Sequence, residues 1–199
     1  MRDAVEEQRT TTAWERTQDA QARADSLDEA RRLHRSFSAL HGELQGNDLS
    51  VNEVIRGVDW QPRWRTIWTP ERSLDLDITS DLIRDEAARA QVQRVLKLLD
   101  NARDISLDGW PGATRYPLRT LALNLSALGT KIVAAYLRRD PPPEEYETTM
   151  AALEDNLKRF EEWQDDQVRR AEAAAEARED DWDDEGEAPA PGRPDTNPR

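Results

Sequence analysis

The sequence predicts an all-α fold: a helical bundle of three to four helices with heptad-like seams and a disordered acidic C-terminal tail. Three observations predict it. Apolar residues recur in alternating steps of three and four over several long stretches, the spacing of one helix face. Gly is scarce, at 8 of 199 residues, and the strong helix formers Ala, Arg, Glu and Leu fill long segments free of breakers. Apolar residues make up 37% and charged residues 35%, which suits narrow seams between helices better than a thick two-sided core.

Residues 3–24 permit a helix, but Val5, Ala13, Trp14, Ala20 and Ala24 make no continuous stripe. Ser26 and Glu29 have the spacing of a capping box, which predicts that a helix restarts there. Residues 1–25 are therefore set apart as a weakly amphipathic N-terminal helix or stalk, ahead of a bundle domain over 26–179. The first seam is Ala30, Leu33, Phe37, Leu40 and Leu44, and it stops near Gly46. Ser50 and Glu53 form a second capping pair ahead of a two-turn piece at 51–58. Pro62 and Pro70 interrupt regular structure, so 59–79 reads as a packed loop with one short extended piece at 64–68.

Thr79 or Ser80 is expected to cap the next helix, whose seam is Ala88, Val92, Val95, Leu99 and Ala102. Gly109, Pro111 and Gly112 make a turn within a loop at 107–117. Residues 117–139 form the most apolar helix. Leu118, Leu121, Leu125, Leu128, Ile132 and Ala135 hold one seam, and Leu123, Val133 and Leu137 lie off it. A helix apolar on more than one face is central. Its small residues Ala122, Ser126, Ala127 and Gly129 admit a close neighbour. Pro141, Pro142 and Pro143 end it, and Pro143 opens the last helix. That helix carries Tyr146, Met150, Leu153, Leu157 and Phe160, and its seam fades at Gln164. Residues 180–199 hold Pro, Gly and charge with almost no apolar content, and are expected to be disordered.

Composition narrows the function. There is no Cys, which removes disulfides, thiolate metal sites and a thiol nucleophile, and fits a cytoplasmic setting. The first twenty residues contain no apolar signal-peptide core. The run Leu118 to Leu137 carries Arg119 and Lys131 and reads as a buried helix, so no membrane span is expected. Lys occurs only at 97, 131 and 158; so strong an Arg bias fits a GC-rich bacterial or phage genome. Net charge is −13, and the stretch EDDWDDEGE at 179–187 concentrates it. An acidic body offers no field for nucleic acid, and no direct nucleic-acid contact is expected.

Chemical motifs are sparse. His34 and His41, the only histidines, share a helix face seven residues apart, about 10.5 Å along the axis, too far for one metal. Glu144, Glu145 and Glu147, with Glu154, Glu161, Glu162, Asp165 and Asp166, invite comparison with all-α Mg²⁺-dependent nucleotide hydrolases. Only one half of the required carboxylate pattern is present, at Glu162 and Asp165. A solvated charged face accounts for these residues. No phosphate loop, dinucleotide fingerprint or nucleophile elbow occurs. No catalytic residue, cofactor or metal is therefore assigned.

Two segments stand out as partner-binding candidates. Trp60, Trp64 and Trp68 are four apart and interleave with Arg63 and Arg65, a set able to stack on a partner or to close the end of a thin bundle. Trp182 sits in the acidic tail, where an aromatic among carboxylates can dock on a basic groove. For self-association the candidates are Phe37, Leu40 and Leu44 on one seam, and Leu153, Leu157 and Phe160 on another. The sequence thus predicts a non-enzymatic interaction or assembly protein working through coiled-coil or helix-in-groove contacts. Its partner is a protein, either a second copy forming a homodimer or an unlike chain. An acidic inhibitor imitating nucleic acid, and a helical hydrolase, are the alternatives.

Overall fold

The computed structural model describes residues 2–47, 59–106, 110, 112, 116–141 and 145–184, without the side chains of 2–13, 145 and 177–184. All regular structure among them is helical: α1 (Arg2–Gly46), α2 (Gln61–Ile67), α3 (Pro70–Asp81), α4 (Glu86–Asp100), α5 (Ala102–Ile105), α6 (Leu118–Arg138) and α7 (Glu145–Asp184). The fold class is all-α, as the seams predict. There are more helices than three or four because the segment expected to be a loop is mostly helical.

Three local expectations are corrected. First, α1 is one helix of 45 residues, and Ser26 does not restart it. Ser26 is buried in mid-helix, and its Oγ accepts the backbone N–H of Arg84 at 2.8 Å. Second, 59–79 is not a loop, and 64–68 is not extended. Pro62 and Pro70 lie in the first turns of α2 and α3, where a missing N–H costs nothing. Thr69 caps α3, its hydroxyl accepting from the Arg72 N–H at 3.3 Å. Third, Thr79 and Ser80 are buried near the end of α3, and their hydroxyls donate to the carbonyls of Asp75 and Asp77. Asp85 is the cap of α4, with Oδ1 accepting from the Ala88 N–H at 2.8 Å. The pieces predicted at 48–58 lie outside the described residues.

The chain divides into two units, residues 1–160 and 161–199. In the first, α6 is the hub, packing against α1 and α4, while α3 packs against both α1 and α4. Leu33, Phe37, Leu40 and Leu44 of α1 are fully buried, as are Val92, Val95 and Leu99 of α4. Close approach between α1 and α6 depends on Gly129, where an added Cβ would lie 2.6 Å from Phe37 Cε1. By length and composition alone α6 is apolar enough to cross a membrane, but half of that stretch is buried inside the protein. Met150, Leu153, Leu157 and Phe160 bring the start of α7 into the core. Arg94 of α4 ties it there, with Nε and Nη2 donating to the two oxygens of Glu154 at 2.6 and 2.8 Å.

In the second unit, residues 161–184 continue as helix, and from 164 to 176 every residue but Asp166 is exposed. Asp166 pairs with Arg170 at 2.7 Å. The helix runs to Asp184, past the expected start of the tail at 180. Residues 185–199 lie outside the described residues, as does the side chain of Trp182.

Candidate functional site

The predicted Trp/Arg segment forms a ladder along α2. The rings of Trp60 and Trp64 stack at 6.2 Å, and those of Trp64 and Trp68 at 5.6 Å with 6° between their planes. All three are buried. The outer indoles are hydrogen-bonded, Trp60 Nε1–H donating to the Asn47 carbonyl at 3.2 Å and Trp68 Nε1–H to Asp100 Oδ1 at 2.9 Å. Such a ladder supplies core area to a thin bundle. Its faces are covered, so it offers a partner no stacking platform. Arg63 is half-buried and Arg65 exposed beside it. The self-association candidates Phe37, Leu40, Leu44, Leu153, Leu157 and Phe160 are likewise buried within the chain. Pairing two copies through them would require opening the bundle.

An exposed apolar surface lies elsewhere, along α3 and its C-cap. Leu74, Ile78 and Leu82 are 58%, 55% and 54% exposed, three of the six large apolar residues found so open among the described residues. Spaced four apart, they form one stripe. The opposite face of the helix, Leu76 with Thr79 and Ser80, is buried. The stripe is therefore a surplus of apolar area on an element already anchored, a pattern that marks interaction surfaces. Beside it a groove of about 540 Å³ opens between α3 and α4, bounded by Trp68, Pro70 and Leu74 on one side and Leu96, Lys97 and Asp100 on the other.

The groove has a fixed polar floor. Asp100 Oδ1 accepts from both Trp68 Nε1–H and Ser73 Oγ, the latter at 2.7 Å. Its rim is acidic. Glu71, Asp75, Asp77 and Asp81 are exposed along α3. The one basic residue of that helix, Arg72, turns inward to Glu43 at 2.9 Å and to the Ile67 carbonyl. Backbone N–H and Thr69 hydrogen bonds at the N-terminus of α3 hold the Glu71 carboxyl below its usual value. Glu71 therefore stays charged further into the acid range than an ordinary glutamate. Asp75 spends part of its charge on Arg32 at 2.7 Å, and Asp81 accepts from Gln93 at 2.7 Å.

Sequence reasoning missed this site because the run Leu74-Asp75-Leu76-Asp77-Ile78 alternates like a strand and sits after a proline. The signal able to find it was the i, i+4, i+8 spacing of Leu74, Ile78 and Leu82, with Thr69 and Pro70 as a helix start. His41 is held by Ser126 Oγ at 3.1 Å and Gln45 at 3.0 Å. Among the described residues no three His, Asp or Glu side chains converge on a metal position. No family model matches the chain, and no curated protein and no solved structure matches it.

Proposed function

We propose that the chain is a non-enzymatic interaction module whose α3–α4 face receives a basic amphipathic helix from a partner protein. The stripe Leu74–Ile78–Leu82 carries this reading: three large side chains more than half exposed in line along α3 and its C-cap. A partner helix would lay its own apolar face on the stripe and the neighbouring groove. Charge complementarity selects the partner. Glu71, Asp77 and Asp81 flank the stripe, so Lys and Arg beside the partner's apolar face meet carboxylates. A second copy would set one acidic rim against another, each chain carrying −13, which disfavours self-pairing here. Imitation of nucleic acid has less support, because Asp19, Asp28, Asp75, Asp155 and Asp166 each bond an arginine.

The test uses a synthetic Leu/Lys amphipathic helical peptide, with a scrambled peptide of the same composition as control. Backbone amide shifts of the full chain should move around Leu74, Ile78, Leu82 and Leu96. Ile78→Asp should weaken binding by about tenfold or more, the effect of roughly 1.4 kcal/mol of lost contact. Equal binding of the scrambled peptide, or an Ile78→Asp variant that binds as well as the parent, would overturn the reading.

A further inference from the structure

At the other end of α3 three arginines of this acidic chain line one cavity. It measures about 280 Å³ and is bounded by Arg23 and Ser26 of α1, Arg84 of the α3–α4 connection, and Tyr136 and Arg139 at the end of α6. A second cavity of about 480 Å³ shares Asp85, Tyr136 and Arg139 with the first, and its walls include Ala88, Ile132 and Ala135. The first compartment is thus rich in arginine, and the second sets an apolar wall beside the carboxylates of Asp85 and Asp140. Small-molecule sites have this composition, an apolar cleft with a few convergent polar groups.

The cationic compartment already shows what it can hold. The carboxylate of Asp19 bridges two of its arginines, with one oxygen 2.7 Å from Arg23 and the other 2.5 Å from Arg84. Among the described residues no carboxylate pairs with Arg139. Of the two carboxylates lining the cavities, Asp85 accepts from the Ala88 N–H as the cap of α4, and Asp140 pairs with Arg138 at 2.7 Å. The hydroxyls add a donor. Ser26 Oγ accepts from the Arg84 N–H at 2.8 Å and lies 3.3 Å from the Tyr136 hydroxyl. Either hydroxyl can donate across that contact, and with Ser26 as the donor the Tyr136 proton is left for the cavity.

The backbone fixes the third arginine. Arg139 has φ of 62°, the only non-glycine residue with positive φ among those described. It ends α6 in a Schellman turn, with the Arg139 N–H on Tyr136 at 3.0 Å and the Asp140 N–H on Ala135 at 2.9 Å. Glycine is the usual residue there, and an arginine is strained in it.

From this geometry we infer a binding site for a small phosphate monoester, its phosphate held by Arg84, Arg139 and the Tyr136 hydroxyl and its organic group lying against Ala88, Ile132 and Ala135. Guanidinium forks match the oxygens of a phosphate better than any other side chain.

Phenyl phosphate and inorganic phosphate are the probes, added to the full chain at constant ionic strength with chloride as the control. Phenyl phosphate should raise the melting temperature by several degrees beyond chloride, and in calorimetry bind more tightly than inorganic phosphate. Arg139→Gly removes the guanidinium while supplying the residue the turn prefers, so the variant should melt no lower than the parent and bind phenyl phosphate at least about tenfold more weakly. Arg84→Gln should weaken it as well, and Ile78→Asp should leave it unchanged. Absence of any shift beyond chloride, or undiminished binding by Arg139→Gly, overturns the site. Phenyl phosphate binding no better than inorganic phosphate overturns the two-compartment assignment.

Discussion

The Ser26 hydroxyl accepts the backbone N–H of Arg84 at 2.8 Å, joining mid-α1 to the connection between α3 and α4. The N–H has no helix to satisfy it, since α3 has ended and α4 has not begun. Ser26→Ala leaves that donor without its acceptor and should cost about 1–2 kcal/mol in urea unfolding. Ser26→Thr retains the oxygen and should recover most of it. An alanine variant as stable as the parent would show that water replaces the hydroxyl.

Gly129 is the close-packing point between α6 and α1. A Cβ there would stand 2.6 to 2.8 Å from three atoms of the Phe37 ring. Alanine in a helix is ordinarily the better residue by about 1 kcal/mol, so the sign of the effect is diagnostic. Overpacking costs about 1–3 kcal/mol, and Gly129→Ala should be destabilising on balance. Phe37→Leu combined with it should cost less than the two separate losses together, because the smaller side chain vacates the space.

Arg94 couples helix pairing to pH. Its guanidinium spans Glu154, and its Nη1 donates to Glu147 at 2.9 Å. The bond from Arg94 holds the Glu147 carboxyl below the ordinary value of 4.5. A carboxyl whose folded value is depressed contributes stability above its unfolded value and loses it as pH falls through the folded one. The contribution is thus complete at neutral pH and declines below about 4.5. Arg94→Gln should lower stability at neutral pH by about 1 kcal/mol, and the difference between variant and parent should narrow as pH falls below 4.5. A constant difference across that range would assign the loss to packing.

Much of the core was legible in the sequence because it repeats. Each seam named by alternating steps is buried: Leu33 to Leu44, Val92 to Leu99, Leu118 to Ile132, Met150 to Phe160. The helix boundaries were less legible. Ser26 and Glu29 have cap spacing, yet the hydroxyl is used by a backbone group 58 residues away, which no local window contains. Pro62 and Pro70 look the same whether they stop a helix or start one; the Thr69 hydroxyl marks the start at Pro70, and no side chain of the N-cap residue marks the one at Pro62. The candidate sites were hidden for a related reason. The apolar residues most prominent in the sequence, the three tryptophans and the heptad seams, are consumed by the core, whereas Leu74, Ile78 and Leu82 became conspicuous only once α3 was seen to be anchored by its other face.

Because the seams are used internally, the chain should behave in light scattering as a monomer of 22.8 kDa over a tenfold range of concentration. Phe37, Leu40, Leu44, Leu153, Leu157 and Phe160 have at most 6% of their surface left for a second copy. A stable dimer would locate the contact on the exposed α3 stripe or on the helix beyond Phe160, and Ile78→Asp would tell these apart by dissolving the first and sparing the second.

The two faces of α3 should respond oppositely to truncation. Leu76 is 2% exposed, and Leu76→Ala should cost about 2–4 kcal/mol through lost burial and a residual cavity. Leu74→Gln and Ile78→Gln, on the opposite face, should change stability by no more than about 0.5 kcal/mol. The comparison separates stability from binding on a single helix. If the glutamine variants unfolded as readily as Leu76→Ala, the stripe would be packing against this chain's own residues, and the partner-binding face would have to be sought elsewhere.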